Sequence, residues 1–157
     1  MEGPNILLAR IDNRLVHGQV GVVWLTSVGA NLLVVVDDQA ANEKLQQQLM
    51  SMVVESSGAG IRFFTVEHTI DIIHKASPSQ KIFIICKTPA VIRQLVDGGV
   101  PIKDVNVGNM HFNKGKHQIS KKVYVDEKDL EDLHYIKSKG INVFIQDVPG
   151  DAIEYID

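Results

Sequence analysis

Short runs of apolar, mostly β-branched residues recur along the chain, each followed by a stretch with helical spacing or by a turn-rich loop. Seven runs read as strands: NILLARI (5–11), NLLVVV (31–36), IRFFTV (61–66), KIFIIC (81–86), DVNVG (104–108), KVYV (122–125) and INVFIQ (141–146). Between them apolar positions return with a period near 3.6. Leu45, Leu49, Met52 and Val53 share one helical side, as do Val66, Ile70 and Ile73, and later Leu130, Leu133 and Ile136. End signals agree with these elements. Asn42, Thr88 and Asp126 are N-cap types, Pro89 takes the first helical position after Thr88, and Gly140 closes the last helix.

Strands that are apolar throughout, alternating with helices, predict an α/β fold with an open, mainly parallel sheet of about seven strands and helices on both faces. The 157 residues suit one domain, residues 1–157, with a core that buries roughly two thirds of the unfolded surface. Such sheets bind ligands beyond the carboxyl ends of their strands, where strand order reverses. MHFNKGKHQISKK (110–122) is the long irregular loop, and the tail PGDAIEYID (149–157) is expected on the surface.

Charge narrows the partners. A formal net charge of −3 gives no general attraction to nucleic acid, so any basic site must be local. The longest apolar runs, LLVVV and IFIIC, fall far short of the ~20 residues that span a bilayer, and MEGPN has none of the marks of a secretory signal. A single cysteine, Cys86, permits no intrachain disulfide, which fits a reducing cytoplasm; at the end of an apolar strand it reads as buried and inert.

RIDNRLVHGQV (10–20) breaks the apolar pattern where the first strand should hand over to a helix near Gly18 and Gln19. It places Arg10, Asp12, Arg14 and His17 at a strand's carboxyl end, with the free N–H groups of a helix start beside His17. A neutral imidazole there is a nucleophile. With Arg14 and backbone amides to hold equatorial oxygens, a phosphoryl group is the electrophile that the surroundings suit. Arg10 and Asp12 are expected to pair and fix the loop, Asp12 orienting either a ring N–H of His17 or Arg14.

The same residues resemble the active-site loop of the IIB components of the mannose/sorbose-type sugar phosphotransferase system, whose pattern is close to R-[IV]-D-x-R-L-[IV]-H-G-Q-V. The resemblance continues through VVVDDQAANEKLQQQLM, ICKTPAVIRQLVDGGV and VNVGNMHFNKGKHQISKKVYVDEKDL and covers essentially the whole chain. It implies a cytoplasmic phosphocarrier, peripherally associated with a membrane transporter and without a span or cofactor of its own. His17 would accept a phosphoryl group from a phosphohistidine of a separate IIA protein and pass it to a sugar imported by the IIC and IID membrane components. By motif position Arg14 stabilises the phosphoryl group, and Arg10, Asp12, Gly18 and Gln19 support the loop. RIDNRLVHGQVG, FFTVE and VNVGNMHF look most like relatives serving N-acetylgalactosamine or galactosamine.

Other residues carry weaker signals. His111, Lys114, Lys116, His117, Lys121 and Lys122 either help dock a phosphorylated partner or form a solvated charge run. His68, His74 and His134 read as surface residues, and Trp24 as the buried face of the first helix. Asp37 and Asp38 end the second strand, but IRFFTVE offers no acceptor aspartate after the third, so they read as loop or capping groups and no metal is expected. Gly58 and Gly60 form a turn, with no G-K-[ST] following. Two rival functions remain open: a phosphohistidine-forming phosphatase or mutase, which needs a carboxylic acid to protonate a leaving oxygen, and a regulator whose phosphorylation changes its binding.

Overall fold

A computed structural model describes residues 3–157. The first strand, β1 (Asn5–Asp12), is followed by α1 (Val20–Val28), β2 (Leu32–Val36), a 3-10 turn (Ala40–Asn42), α2 (Lys44–Glu55), β3 (Gly60–Phe64) and α3 (Val66–Ile72). Then come β4 (Lys81–Cys86), α4 (Pro89–Asp97), β5 (Asp104–Asn109), the hairpin strands β6 (His117–Ser120) and β7 (Val123–Val125), α5 (Glu127–Ser138), β8 (Asn142–Ile145) and β9 (Glu154–Tyr155).

Seven strands form the main sheet in the order β3-β2-β4-β1-β5-β8-β9, all neighbours parallel except the last pair. The expected number is present with one exchange of membership. Residues 122–125 leave the sheet to pair antiparallel with β6, inside the segment expected to be irregular. The tail supplies the seventh strand instead: Phe144 and Ile145 pair with Tyr155 and Glu154, and Ile156 is buried.

Apolar strands bury both faces because helices cover both. Leu8, Leu33, Val35, Phe83 and Ile85 pack with Trp24 and Leu25 of α1 and Met50 and Val54 of α2. On the other face Ile11, Val34, Ile84, Val105 and Val143 pack with Ile73, just after α3, with Ile92 and Leu95 of α4, and with Leu133 and Ile136 of α5. β1 therefore sends its connection to one face while its neighbours β4 and β5 send theirs to the other, and its carboxyl end lies where the connections diverge.

Caps follow the sequence at two of three places. Thr88 accepts from Val91 N, with Pro89 opening α4, and Asp126 forms a reciprocal capping box with Asp129. Asn42 does not cap α2: it ends the 3-10 turn, and Glu43 precedes the helix without a side-chain bond. The apolar row of α2 is also turned outward. Leu45, Leu49 and Met52 are 70%, 56% and 67% exposed, and the helix meets the sheet through Met50 and Val54.

One polar side chain sits in the sheet itself. Arg10 is fully buried on the α1 face, and its guanidinium fills the space above Gly108 of β5, where a Cβ would lie 2.0 Å from Cζ. Gly108→Ala should therefore destabilise by about 3 kcal/mol, through overpacking and displacement of a buried charge. A wild-type urea midpoint for that variant would contradict this packing. Burial pushes the Cys86 thiol from an ordinary 9.0 up to about 12. Above pH 9.0 the unfolded chain loses that proton while the folded chain keeps it, so stability should fall between pH 9.0 and 12. Iodoacetamide at neutral pH should label Cys86 only after unfolding.

Candidate phosphoryl-transfer site

The carboxyl end of β1 carries a chain of alternating charges. Arg10 Nη2 donates to Asp12 Oδ2 at 3.1 Å, and Arg14 grips the same carboxylate twice, Nε to Oδ1 and Nη2 to Oδ2, each at 3.1 Å. Arg14 N also donates to Asp12 Oδ1 at 3.0 Å, closing an Asx turn. The expected Arg10–Asp12 pair is present, and of the two roles open to Asp12 the geometry shows the second: it orients Arg14. Both carboxylate oxygens are occupied by guanidinium groups.

Arg10 is anchored from beneath. Its Nη1 donates to Asn106 Oδ1 at 2.6 Å and to the carbonyl of Asp147 at 2.9 Å, its Nη2 lies 3.6 Å from Asp147 Oδ1, and the guanidinium stands 5.5 Å from the Trp24 ring centre. Trp24 is buried as expected, and its Nε1 donates to the same carbonyl of Asp147 at 2.8 Å. Burial pushes the Arg10 pKa down, with Asp12 and Asp147 opposing it, whereas the hydrogen bond to Asp12 pushes Arg14 up. A guanidinium is basic enough to keep its charge at any physiological pH.

Beyond Asp12 the backbone turns sharply. Leu15 N donates to Asp12 O at 2.8 Å, and Leu15 takes a left-handed φ of 57°, a conformation that costs a branched side chain on the order of 1 kcal/mol. Burial of Leu15 and Val16 holds the turn, and the next three residues, His17, Gly18 and Gln19, are exposed. Gly18 supplies a second positive φ, 56°, before α1 begins at Val20. Gln19 is the N-cap but offers no side-chain cap, and no acid occupies the first turn. Arg14, His17 and Gly18 line one cleft with Val16, Gln46, Leu49, Met50 and Val53, so the outward row of α2 borders the histidine.

The remaining candidates separate by environment. Asp37 Oδ2 accepts from Ala40 N and Asp38 Oδ1 from Val66 N, each at 2.9 Å, as expected of loop and capping groups. His68, His74 and His134 are exposed. β5 does end beside the loop, with Asn13 N donating to Asn109 O at 3.2 Å. Two lysines of the 110–122 stretch face the chain's own acids, however, Lys116 on Asp129 at 3.0 Å and Lys122 on Asp147 at 2.6 Å. Asn106, Gly108, Asp147 and Gln46 were not legible as site residues, because each reaches the loop only through strand order or helix placement.

A family model described as the sorbose-subfamily IIB component of the PTS matches residues 6–157. The N-acetylgalactosamine-specific phosphotransferase enzyme IIB component 1 of Escherichia coli is 66% identical over 99% of both chains. The mannose-specific EIIAB component of the same species is 34% identical over 95% of this chain and 47% of its own length. The crystal structure of the E. coli IIB component 1 superposes with a TM-score of 0.95, covering 98% of this chain and all of the other. An N-acetyl-galactosamine IIB component from Streptococcus pyogenes, 38% identical, gives 0.90 over 97% and 93%. With the match running from β1 to the final residue, the chain belongs to the sorbose subfamily of PTS IIB components, the phosphoryl-transferring proteins of a sugar phosphotransferase system.

Proposed function

We propose that His17 is the phosphoryl carrier of this IIB component and that the sugar served is N-acetylgalactosamine. The observation that carries the site assignment is an exposed imidazole in one cleft with an arginine whose orientation is fixed by a buried carboxylate. The sugar rests on the 66% identity to a relative named for N-acetylgalactosamine.

On this reading a ring nitrogen of His17 attacks the phosphorus of a phosphohistidine on the IIA protein. The new N–P bond forms as the donor's N–P bond breaks, and the donor imidazole leaves with its electron pair. In the second step a sugar hydroxyl attacks, the bond to His17 breaks, an O–P bond forms and the hydroxyl proton is released. Arg14 spends Nε and Nη2 on Asp12, which leaves Nη1 to face the equatorial oxygens in both steps. The uncapped amides at the start of α1 add donors on the same side. On the same reading the sugar is met through the IIC and IID membrane components, with the chain working from the cytoplasm against the transporter; no described helix is long and apolar enough to cross a membrane.

Asp12 weighs against the phosphatase or mutase alternative. Such an enzyme needs an acid that can release a proton, whereas Asp12 is 1% exposed and bonded by two guanidinium groups, and among the described residues no acid lines the cleft. The regulator alternative separates in the second step, because its phosphate would not be discharged by sugar.

Incubation with phosphoenolpyruvate, the two general phosphotransferase proteins and the matching IIA should give acid-labile, alkali-stable phosphate on the wild type and none on His17→Ala. Normal labelling of His17→Ala would overturn the assignment. Arg14→Gln should slow onward transfer by about 100-fold, the usual cost of removing one charge-stabilising donor. With membranes holding IIC and IID, N-acetylgalactosamine should discharge the phosphoprotein faster than mannose, fructose or sorbose; equal rates would refute the sugar.

A further inference from the structure

Lys122 stands in the turn between β6 and β7 with its side chain half-exposed, yet two routes lead from it to the loop that holds Arg14. The first runs through the main chain. Met110 N donates to the carbonyl of Lys122 at 3.0 Å, and the carbonyl of Asn109, one residue earlier, accepts from Asn13 N at 3.2 Å. The second runs through side chains. Lys122 Nζ meets Asp147 Oδ2 at 2.6 Å, and Asp147 faces Arg10, which bonds the carboxylate that orients Arg14. Both routes arrive at residues 12–14.

The side-chain route alternates in sign from Lys122 through Asp147, Arg10 and Asp12 to Arg14, so the cation at its outer end bears on how the buried one is shared. Arg10 Nη2 lies 3.1 Å from Asp12 Oδ2 but 3.6 Å from Asp147 Oδ1, outside hydrogen-bond range. The sharing is unequal, and Lys122 accounts for it. With Oδ2 bound by the ammonium, the Asp147 carboxylate is held toward the hairpin, and Nη2 gives its bond to Asp12. Loss of the ammonium leaves Arg10 as the one cation paired with Asp147 among the described residues. A shift of about half an ångström then brings Oδ1 to bonding distance and draws Arg10 away from Asp12.

We infer that Lys122 and Asp147 are positioning residues for Arg14: the lysine holds the Asp147 carboxylate back from Arg10, so that Asp12 stays fixed on Arg10 and keeps Arg14 aimed at the phosphoryl group. The inference rests on His17 as the carrier and Arg14 as the group that stabilises the transfer. It gives the 110–122 stretch a part in the chemistry without contact with the reacting atoms. A pair as exposed as Lys122 and Asp147 contributes little to folding, which separates its effect on Arg14 from an effect on the fold.

The test is made on the full chain. Without phosphate, the Nε–H signal of Arg14, which reports its bond to Asp12, should shift in Lys122→Met and return in Lys122→Arg. Transfer from IIA should slow by roughly 5-fold in Lys122→Met, in kcat rather than in KM, and recover in Lys122→Arg. Asp147→Asn should match Lys122→Met, and the double variant should be no slower than either, because both act through one contact. Phosphoramidate labels His17 without a partner protein: its P–N bond breaks, ammonia leaves with the electron pair and the ring N–P bond forms. That labelling should slow in Lys122→Met as well. Lys121→Met removes the same charge one residue away and should transfer like wild type. Thermal unfolding of Lys122→Met within about 3 °C of wild type shows that the fold is kept. If Asp147→Asn fails to fold, the Arg14 signal of the Lys122 variants decides alone. An unmoved Arg14 signal, slowing confined to KM for IIA, or losses that multiply in the double variant would each overturn the inference. An Arg14 shift in a chain whose His17 takes no label from IIA would sink the carrier reading and leave the positioning standing.

Discussion

The site depends on one carboxylate shared by two guanidinium groups. Asp12 lies between Arg10, sealed in the sheet, and Arg14, in the cleft. A carboxylate held by one exposed arginine would contribute little, since surface pairs are worth up to about 1 kcal/mol. Here burial changes the balance. Removing Asp12 would strip sealed Arg10 of its nearer acid and leave only Asp147, 3.6 Å from Nη2, a loss of several kcal/mol for breaking a buried pair. Positioning of the His17 loop and stability of the sheet are thus the same interaction.

That coupling also explains why a strained turn survives. Leu15 is left-handed, yet the turn is fixed on one side by Asp12 and on the other by burial of Leu15 and Val16. Few other conformations satisfy both constraints, so three consecutive residues are pushed outward with the histidine among them. Strain at this point follows from a rigid base and a short connection to α1.

Much of this was legible in the sequence because it is local. The strand and helix pattern, the caps at Thr88 and Asp126 and the Arg10–Asp12 pair all depend on residues within a few positions of each other. What was not legible depends on long-range placement. Leu45, Leu49 and Met52 have the right period for a core face, but the helix rolls onto Met50 and Val54, a choice periodicity alone does not make. β9 has two residues and exists only because β8 offers an edge, while residues 122–125 look like a sheet strand but are captured by their neighbour β6. Gln46 entered the site for the same kind of reason, since nothing in LQQQLM tells which glutamine faces a loop some thirty residues earlier.

The carbonyl of Asp147, shared by Arg10 and Trp24, has a consequence for the order of assembly. The loop proposed to carry the chemistry is synthesised well before Asp147, the acceptor that fixes its buried base. Until residue 147 emerges, Arg10 lacks that partner, and β1 must also await β4 and β5 on its two sides. A nascent chain therefore displays its histidine on an unset loop until β8 and the segment after it have been made, and only then can the loop settle on its buried base.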